Sequence, residues 1–143
     1  MRVVFDTCVW IAAVRSRRGA SYALLSEIPY KRFDFGISVP LFIEYKAELY
    51  KAVNSKATSL HKRQIDAILA AFVYYGKEVP VYYKLRPNLK DENDNMVFEC
   101  AANFGASTII THNIKDFMNP ELHDYGIDIL TPRDFLLTIR SKP

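Results

Sequence analysis

The stretch Arg2-Val3-Val4-Phe5-Asp6-Thr7-Cys8-Val9-Trp10 decides the fold. Val3, Val4 and Phe5 are β-branched or aromatic and read as a short buried strand. Asp6 closes that run, and Thr7 to Val14 reads as a helix. An acid therefore stands at the carboxyl end of the first strand, the edge where open α/β sheets bind ligands. A carboxylate there is costly to desolvate unless it is paired, hydrogen-bonded or bound to a cation. Two readings stand at this point. Asp6 caps the helix, a role aspartate favours, or it belongs to a metal site.

Further along, the same alternation repeats. The first helix breaks near Arg15-Ser16-Arg17-Arg18-Gly19, and a second runs over 21–28 up to Pro29. Phe33 to Val39 reads as a strand. Ser38 is a helix cap and Pro40 suits a first helical turn, so a helix is expected over 41–53. Leu41, Tyr45 and Leu49 share its apolar face, with Glu44 and Glu48 together on another side. A longer amphipathic helix is expected over 59–75, stopped by Gly76. A short strand follows over 78–83, placed at a sheet edge by Pro80. Asn93 to Phe104 reads as a helix, and Ser107-Thr108-Ile109-Ile110-Thr111 as a central parallel strand. A last strand over 127–130 and a helix from Thr131-Pro132 through Ile139 complete the chain. This order implies a parallel sheet with helices on both faces, a three-layer α/β/α sandwich.

The totals agree with one α/β domain spanning 1–143. Half of the 143 residues are hydrophobic, enough for a substantial core. The net charge of +3 is too small to mark a nucleic-acid binder by itself. Cys8 and Cys100 form neither a CxxC pair nor zinc spacing, so reduced thiols in a cytoplasmic protein are expected. The N-terminal run is interrupted by Asp6 and does not read as a signal peptide. No apolar stretch approaches 18 residues, so no membrane span is expected.

Placed on this topology, Asp6 and the Asn113/Asp116 pair leave strand ends on the same edge. Glu44 and Asp94 come from early turns of helices that leave that edge. Asp91 and Glu92 have a ready alternative, because acids are favoured at a helix N-terminus. Asp94 is harder to dismiss: Val97 and Ala101 follow it at helical spacing, so it continues the buried stripe. Four acids from distant segments supply the oxygen ligands that Mg2+ or Mn2+ requires. Two metals, or one metal and an ordered water, stabilise attacking and leaving oxygens in phosphodiester hydrolysis.

These segments resemble the successive motifs of PIN domains. They are Val3-Val4-Phe5-Asp6-Thr7, Ile37-Ser38-Val39-Pro40 with Glu44-Tyr45, Asp91-x-x-Asp94-Asn95 followed by Glu99 and Ala101, and Ile110-Thr111-x-Asn113-x-x-Asp116-Phe117. The resemblance covers nearly the whole chain and is greatest to VapC-type toxins of prokaryotic toxin–antitoxin pairs. It implies an Mg2+- or Mn2+-dependent endoribonuclease acting on RNA, with a cognate antitoxin and a homodimeric assembly. Asp6, Glu44, Asp94 and Asp116 would carry the catalytic, metal-binding acids, supported by Thr7, Thr111, Asn113 and Asp91. Cys8 departs from the pattern, since Asn or Ser is common at that position.

Arg15, Arg17, Arg18, Lys46, Lys84 and Arg86 are candidates to contact RNA phosphates, or are simply solvated. For assembly, exposed apolar residues are expected around 45–50 or 69–75. Two other classes compete with the ribonuclease. A non-catalytic PIN-like module would bind RNA or protein, but has no need of the acids. A phosphoryl-transfer protein would use Asp6 as nucleophile. The sequence lacks the Asp-x-Asp pair of a haloacid-dehalogenase-type phosphatase and the adjacent acids of a receiver domain.

Overall fold

The computed structural model describes residues 1–82, 89 and 91–141, apart from the Glu121 side chain. Five short parallel strands form one sheet in the order β3-β2-β1-β4-β5. They are β1 (Arg2–Phe5), β2 (Asp34–Ile37), β3 (Lys77–Glu78), β4 (Thr108–Ile110) and β5 (Asp128–Leu130). β1 lies at the centre, with Val3 in register with Phe35 on one side and Thr108 on the other. All five carboxyl ends therefore face one edge, and Asp6 emerges from the middle of it.

The helices are α1 (Thr7–Arg15), α2 (Ala20–Glu27), α3 (Val39–Asn54), α4 (Lys62–Tyr75), α5 (Glu92–Phe104), α6 (Pro120–Asp124) and α7 (Pro132–Arg140). They cover both faces of the sheet in a three-layer α/β/α sandwich. On one face an aromatic cluster joins the layers. Phe5 lies 4.5 Å from Trp10, Trp10 4.6 Å from Phe72, and Phe33 5.2 Å from Phe135, centroid to centroid. On the other face α5 approaches closely at Gly36, where a Cβ would fall 2.7 Å from the Phe104 ring. Only glycine fits there without moving that ring.

Several boundaries follow from local chemistry. Ser38 Oγ accepts from Leu41 N at 3.3 Å, and Thr131 Oγ1 accepts from Asp134 N at 3.1 Å, so both hydroxyls cap their helices. α4 begins at Lys62 rather than at 59, because His61 and Gln64 form a reciprocal capping box. β3 ends at Glu78, and of the expected strand over 78–83 the residues 79–82 are not strand while 83 lies outside the described residues. Pro80 has no N–H to offer a ladder, and Tyr82 N donates instead to Asn103 Oδ1 at 3.1 Å. A 3-10 turn over Ile114–Phe117 and the short α6 occupy the connection between β4 and β5, where no element was expected. No helix among the described residues is long and apolar enough to cross a membrane.

The expected apolar surface is only partly present. Tyr45 is fully buried, and its hydroxyl donates to the Phe5 carbonyl, locking α3 onto β1. Tyr50 donates to Asp66. Within 69–75, Leu69 and Phe72 are core, while Val73 and Tyr74 are 66% and 77% exposed.

Candidate functional site

The carboxyl edge of the sheet opens into a cleft of about 410 Å³. Asp6, Glu44, Asp91, Asp94, Asn113 and Asp116 all line it, with Thr7, Cys8, Asn93, Glu48 and Arg15. Residues from the β1–α1 junction, α1, α3, the start of α5 and the turn after β4 thus meet in one place. A larger hollow of about 550 Å³ lies beside β5, but its wall is mostly apolar, with residues such as Phe117, Leu122 and Ile127.

Asp6 occupies the N-cap position of α1, yet its side chain makes no capping hydrogen bond. Its Oδ2 accepts from Thr111 Oγ1 at 2.7 Å and from Cys8 Sγ at 3.3 Å. The carboxylate therefore bridges the end of β4 and the first turn of α1 instead of capping a backbone N–H of its own helix. Thr111 is completely buried and follows β4 directly. Its hydroxyl also accepts from Asn113 N at 2.9 Å, so one side chain sets both Asp6 and the start of the next turn. Asp116 lies in that turn, half-buried, with its backbone N–H donating to Asn113 O at 3.0 Å. Phe117, the next residue in the turn, is buried.

Asp94 enters from the first turn of α5 and is only 5% exposed. Its Oδ2 has no hydrogen-bond partner among the described residues. Burial, followed by the negative charges of Asp6, Asp116 and Asp91, pushes its carboxyl up to about 7. Glu44 enters from α3, and its Oε1 accepts from Asn93 Nδ2 at 2.9 Å. Its pKa is also raised, by burial first and then by Glu48 and Asp6, with Lys51 opposing. Asp91 sits exposed at the N-cap position of α5, with no capping bond from its side chain. Thr7 Oγ1 is buried without a hydrogen-bond partner among the described residues.

No group of three or more His, Cys, Asp or Glu side chains among the described residues is arranged to hold a metal ion. The donor set nevertheless fits a hard divalent cation. It is all oxygen, the Asp6 charge helps to raise the carboxyls of both Asp94 and Glu44, and Asp94 carries a buried oxygen with nothing among the described residues donating to it.

Two contributions were not legible from the motifs. Asn93 ties α5 to Glu44. Its only signal was a place between Asp91 and Asp94. Cys8 lies against Asp6, and its Sγ also accepts from His112 N at 3.5 Å. Burial, then the Asp6 charge, pushes the thiol up to about 12, so it sits here as a neutral hydrogen-bonding group. Glu48 reaches the cleft wall as well, paired with Lys51 at 3.5 Å. Of the expected phosphate contacts only Arg15 lines the cleft, and Lys84 and Arg86 lie outside the described residues.

Two solved structures share this fold. The VapBC2 structure from Rickettsia felis, bound to a DNA fragment from their promoter, matches with a TM-score of 0.62 at 20% identity, over 92% of this chain and 98% of that one. The FitAB structure bound to an IR36 DNA fragment matches with a TM-score of 0.58 at 17% identity, over 91% and 94%. No curated protein sequence matches the chain. The PIN domain family model matches residues 2–115, and the chain belongs to the PIN domain family.

Proposed function

We propose that this chain is a divalent-metal-dependent endoribonuclease, the toxin of a VapC-type toxin–antitoxin pair. One observation carries the reading: Asp94 is a buried carboxyl whose Oδ2 has no hydrogen-bond partner among the described residues, set against Asp6, Asp116 and Asp91. Such an arrangement is costly in a metal-free fold and is relieved by a cation. The family's members are in general nucleases and typically depend on a divalent metal. A bound Mg2+ or Mn2+ would supply Lewis acidity at a scissile phosphate and lower the pKa of a water molecule.

The residues divide the work. Asp6, Glu44, Asp94 and Asp116 would hold the metal. Thr111 keeps the Asp6 carboxylate turned toward the cleft, and Asn93 does the same for Glu44. Asn113, neutral and able both to donate and to accept, is placed to hold the turn or a phosphate oxygen. Thr7 and Asp91 support the floor and the rim.

The whole of 1–143 would act as one PIN-like nuclease domain in the cytoplasm, as a homodimer restrained by a cognate antitoxin. The likeness to VapBC2 and FitAB supports the antitoxin, since both of those structures are named as pairs. The experiment is cleavage of labelled RNA by the purified protein, with Mn2+ or Mg2+ and with chelator. Metal-dependent cleavage that chelator abolishes and Asp6→Asn removes is expected. RNA binding without cleavage at any metal concentration would instead leave a non-catalytic module. Light scattering checks the dimer, and a monomeric mass at micromolar concentration would reject it.

A further inference from the structure

The cleft is electrically one-sided. Its floor is carboxylate, and Arg15 is the one cation among its described lining residues. Arg15 ends α1 and is exposed. Beside it, Thr58 Oγ1 donates to Val14 O at 2.5 Å, which ties the loop after α3 to the last turn of α1. That loop carries Lys56. The last turn of α3 carries Lys51, 3.5 Å from Glu48 on the cleft wall. All three cationic side chains face solvent.

Helix dipoles explain part of this, because cations are favoured in the last turns of α1 and α3. Lys56 needs another account. Its φ is +59°, in the left-handed region that L-residues avoid. Lys56 N donates to Val53 O at 3.1 Å and Ala57 N to Ala52 O at 2.9 Å, a helix-ending geometry where glycine is the usual residue. The chain keeps a lysine where glycine is conformationally cheaper. Lys31, with φ of +55°, has the same backbone but precedes β2, at the amino edge away from the cleft.

We propose that Arg15, Lys51 and Lys56 form a phosphate track, over which single-stranded RNA leaves the acidic cleft across the C-terminal ends of α1 and α3. The inference rests on the ribonuclease reading and extends it to the path of the substrate. The charge changes sign along this path. The acids admit a phosphate only where a cation is bound, while the track attracts the phosphates that follow. Contacts of this kind set position and affinity, and leave base preference to other groups.

The test measures binding of a short labelled single-stranded RNA across a salt series, in an Asp6→Asn background so that nothing is cut. Replacing all three residues (Arg15→Ala, Lys51→Ala, Lys56→Ala) should flatten the slope of log Kd against log salt by about 2, at roughly 0.7 per phosphate contact. Lys56→Gly should flatten it by about 0.7, even though relief of the left-handed backbone raises Tm by about 2 °C. Lys31→Gly should raise Tm in the same way and leave the slope alone. With Asp6 restored, the triple variant should show a raised KM and a kcat that moves far less. Gain of Tm by Lys56→Gly with an unchanged slope overturns the track, as does an unchanged KM in a triple variant of a protein that cleaves RNA. A wild-type protein that binds RNA through these residues but never cleaves it with Mn2+ overturns the ribonuclease reading and leaves the track standing. Binding of an acidic peptide but not RNA at these residues overturns the track.

Discussion

The two edges of the sheet obey the same rules and end differently. At the amino edge, opposite or complementary groups meet. Arg2 Nη1 donates to Phe104 O at 2.9 Å, its guanidinium lies 5.2 Å over the Phe104 ring, and Ser107 N donates to Arg2 O at 2.9 Å. At the carboxyl edge, like charges meet. Asp6, Glu44, Asp94 and Asp116 share one cleft, and Asp94 keeps an oxygen without a partner among the described residues. One edge is closed by complementary groups of the protein; at the other, like charges are left facing one another. A cluster of like charges is a local conflict of the kind that marks a candidate functional site.

The largest expected effect strikes the open edge. Asp6→Asn keeps the size of the side chain and an oxygen for Thr111, so the fold should persist. Cleavage should fall roughly a thousandfold, the scale of losing a group that stabilises charge at a reacting centre. An unchanged rate in a protein with wild-type circular dichroism would remove the functional distinction between the edges.

Next comes a paired effect at Asp94. Its carboxyl is raised to about 7 from an ordinary value of 3.8. The proton is therefore held more tightly in the folded state. The stability this gives is fully present below the unfolded value and is lost as pH rises through 7. Metal-free protein should lose Tm between about pH 4 and 7 and level off above that, and Mn2+ should suppress that loss. Asp94→Asn should abolish activity while making the metal-free protein less sensitive to pH in this window. A wild-type Tm that is flat across the window would show that the acids are not in conflict.

A smaller effect separates two glutamates one turn apart. Glu44→Gln should weaken Mn2+ binding by about tenfold or more, as loss of an oriented ligand does. Glu48 is paired with Lys51, so Glu48→Gln should change the affinity little. Calorimetry decides, and equal effects would mean that two successive turns of the same α3 face serve the site.

Much of this was legible because it is local. The β-branched run ending in Asp6, the Ser38-Pro40 and Thr131-Pro132 starts, and the alternation that implies a parallel sheet are patterns of neighbouring residues. Their topology was enough to bring Asp6, Glu44, Asp94 and Asp116 to one edge. What escaped is contact through space. The Asn93–Glu44 bond and the thiol of Cys8 against Asp6 join residues whose spacing announces nothing. Tyr45 stood both on the apolar face of its helix and in the stretch 45–50 where exposed apolar residues were expected, because an aromatic ring can serve core or interface equally. The Phe5 carbonyl it reaches is 40 residues away in the chain. The 3-10 turn and α6 were too short for periodicity to register.

The smallest effect belongs to the closed edge and tests the contrast most directly. Arg2 bonds the carbonyl of Phe104, the last residue of α5, where a helix leaves its carbonyls unsatisfied and favours a cation. The arrangement is exposed, so Arg2→Ala should cost only about 1 kcal/mol. Asp94 sits at the opposite end of the same helix, 10 residues before Phe104. The sheet and the buried stripe of α5, not its C-terminal cap, hold that end in place. Cleavage by Arg2→Ala should therefore match wild type, with a slightly lower Tm in thermal melts. A strong loss of activity with little change in Tm would mean that the C-terminal end of α5 controls the position of Asp94, and that the two edges act as one unit.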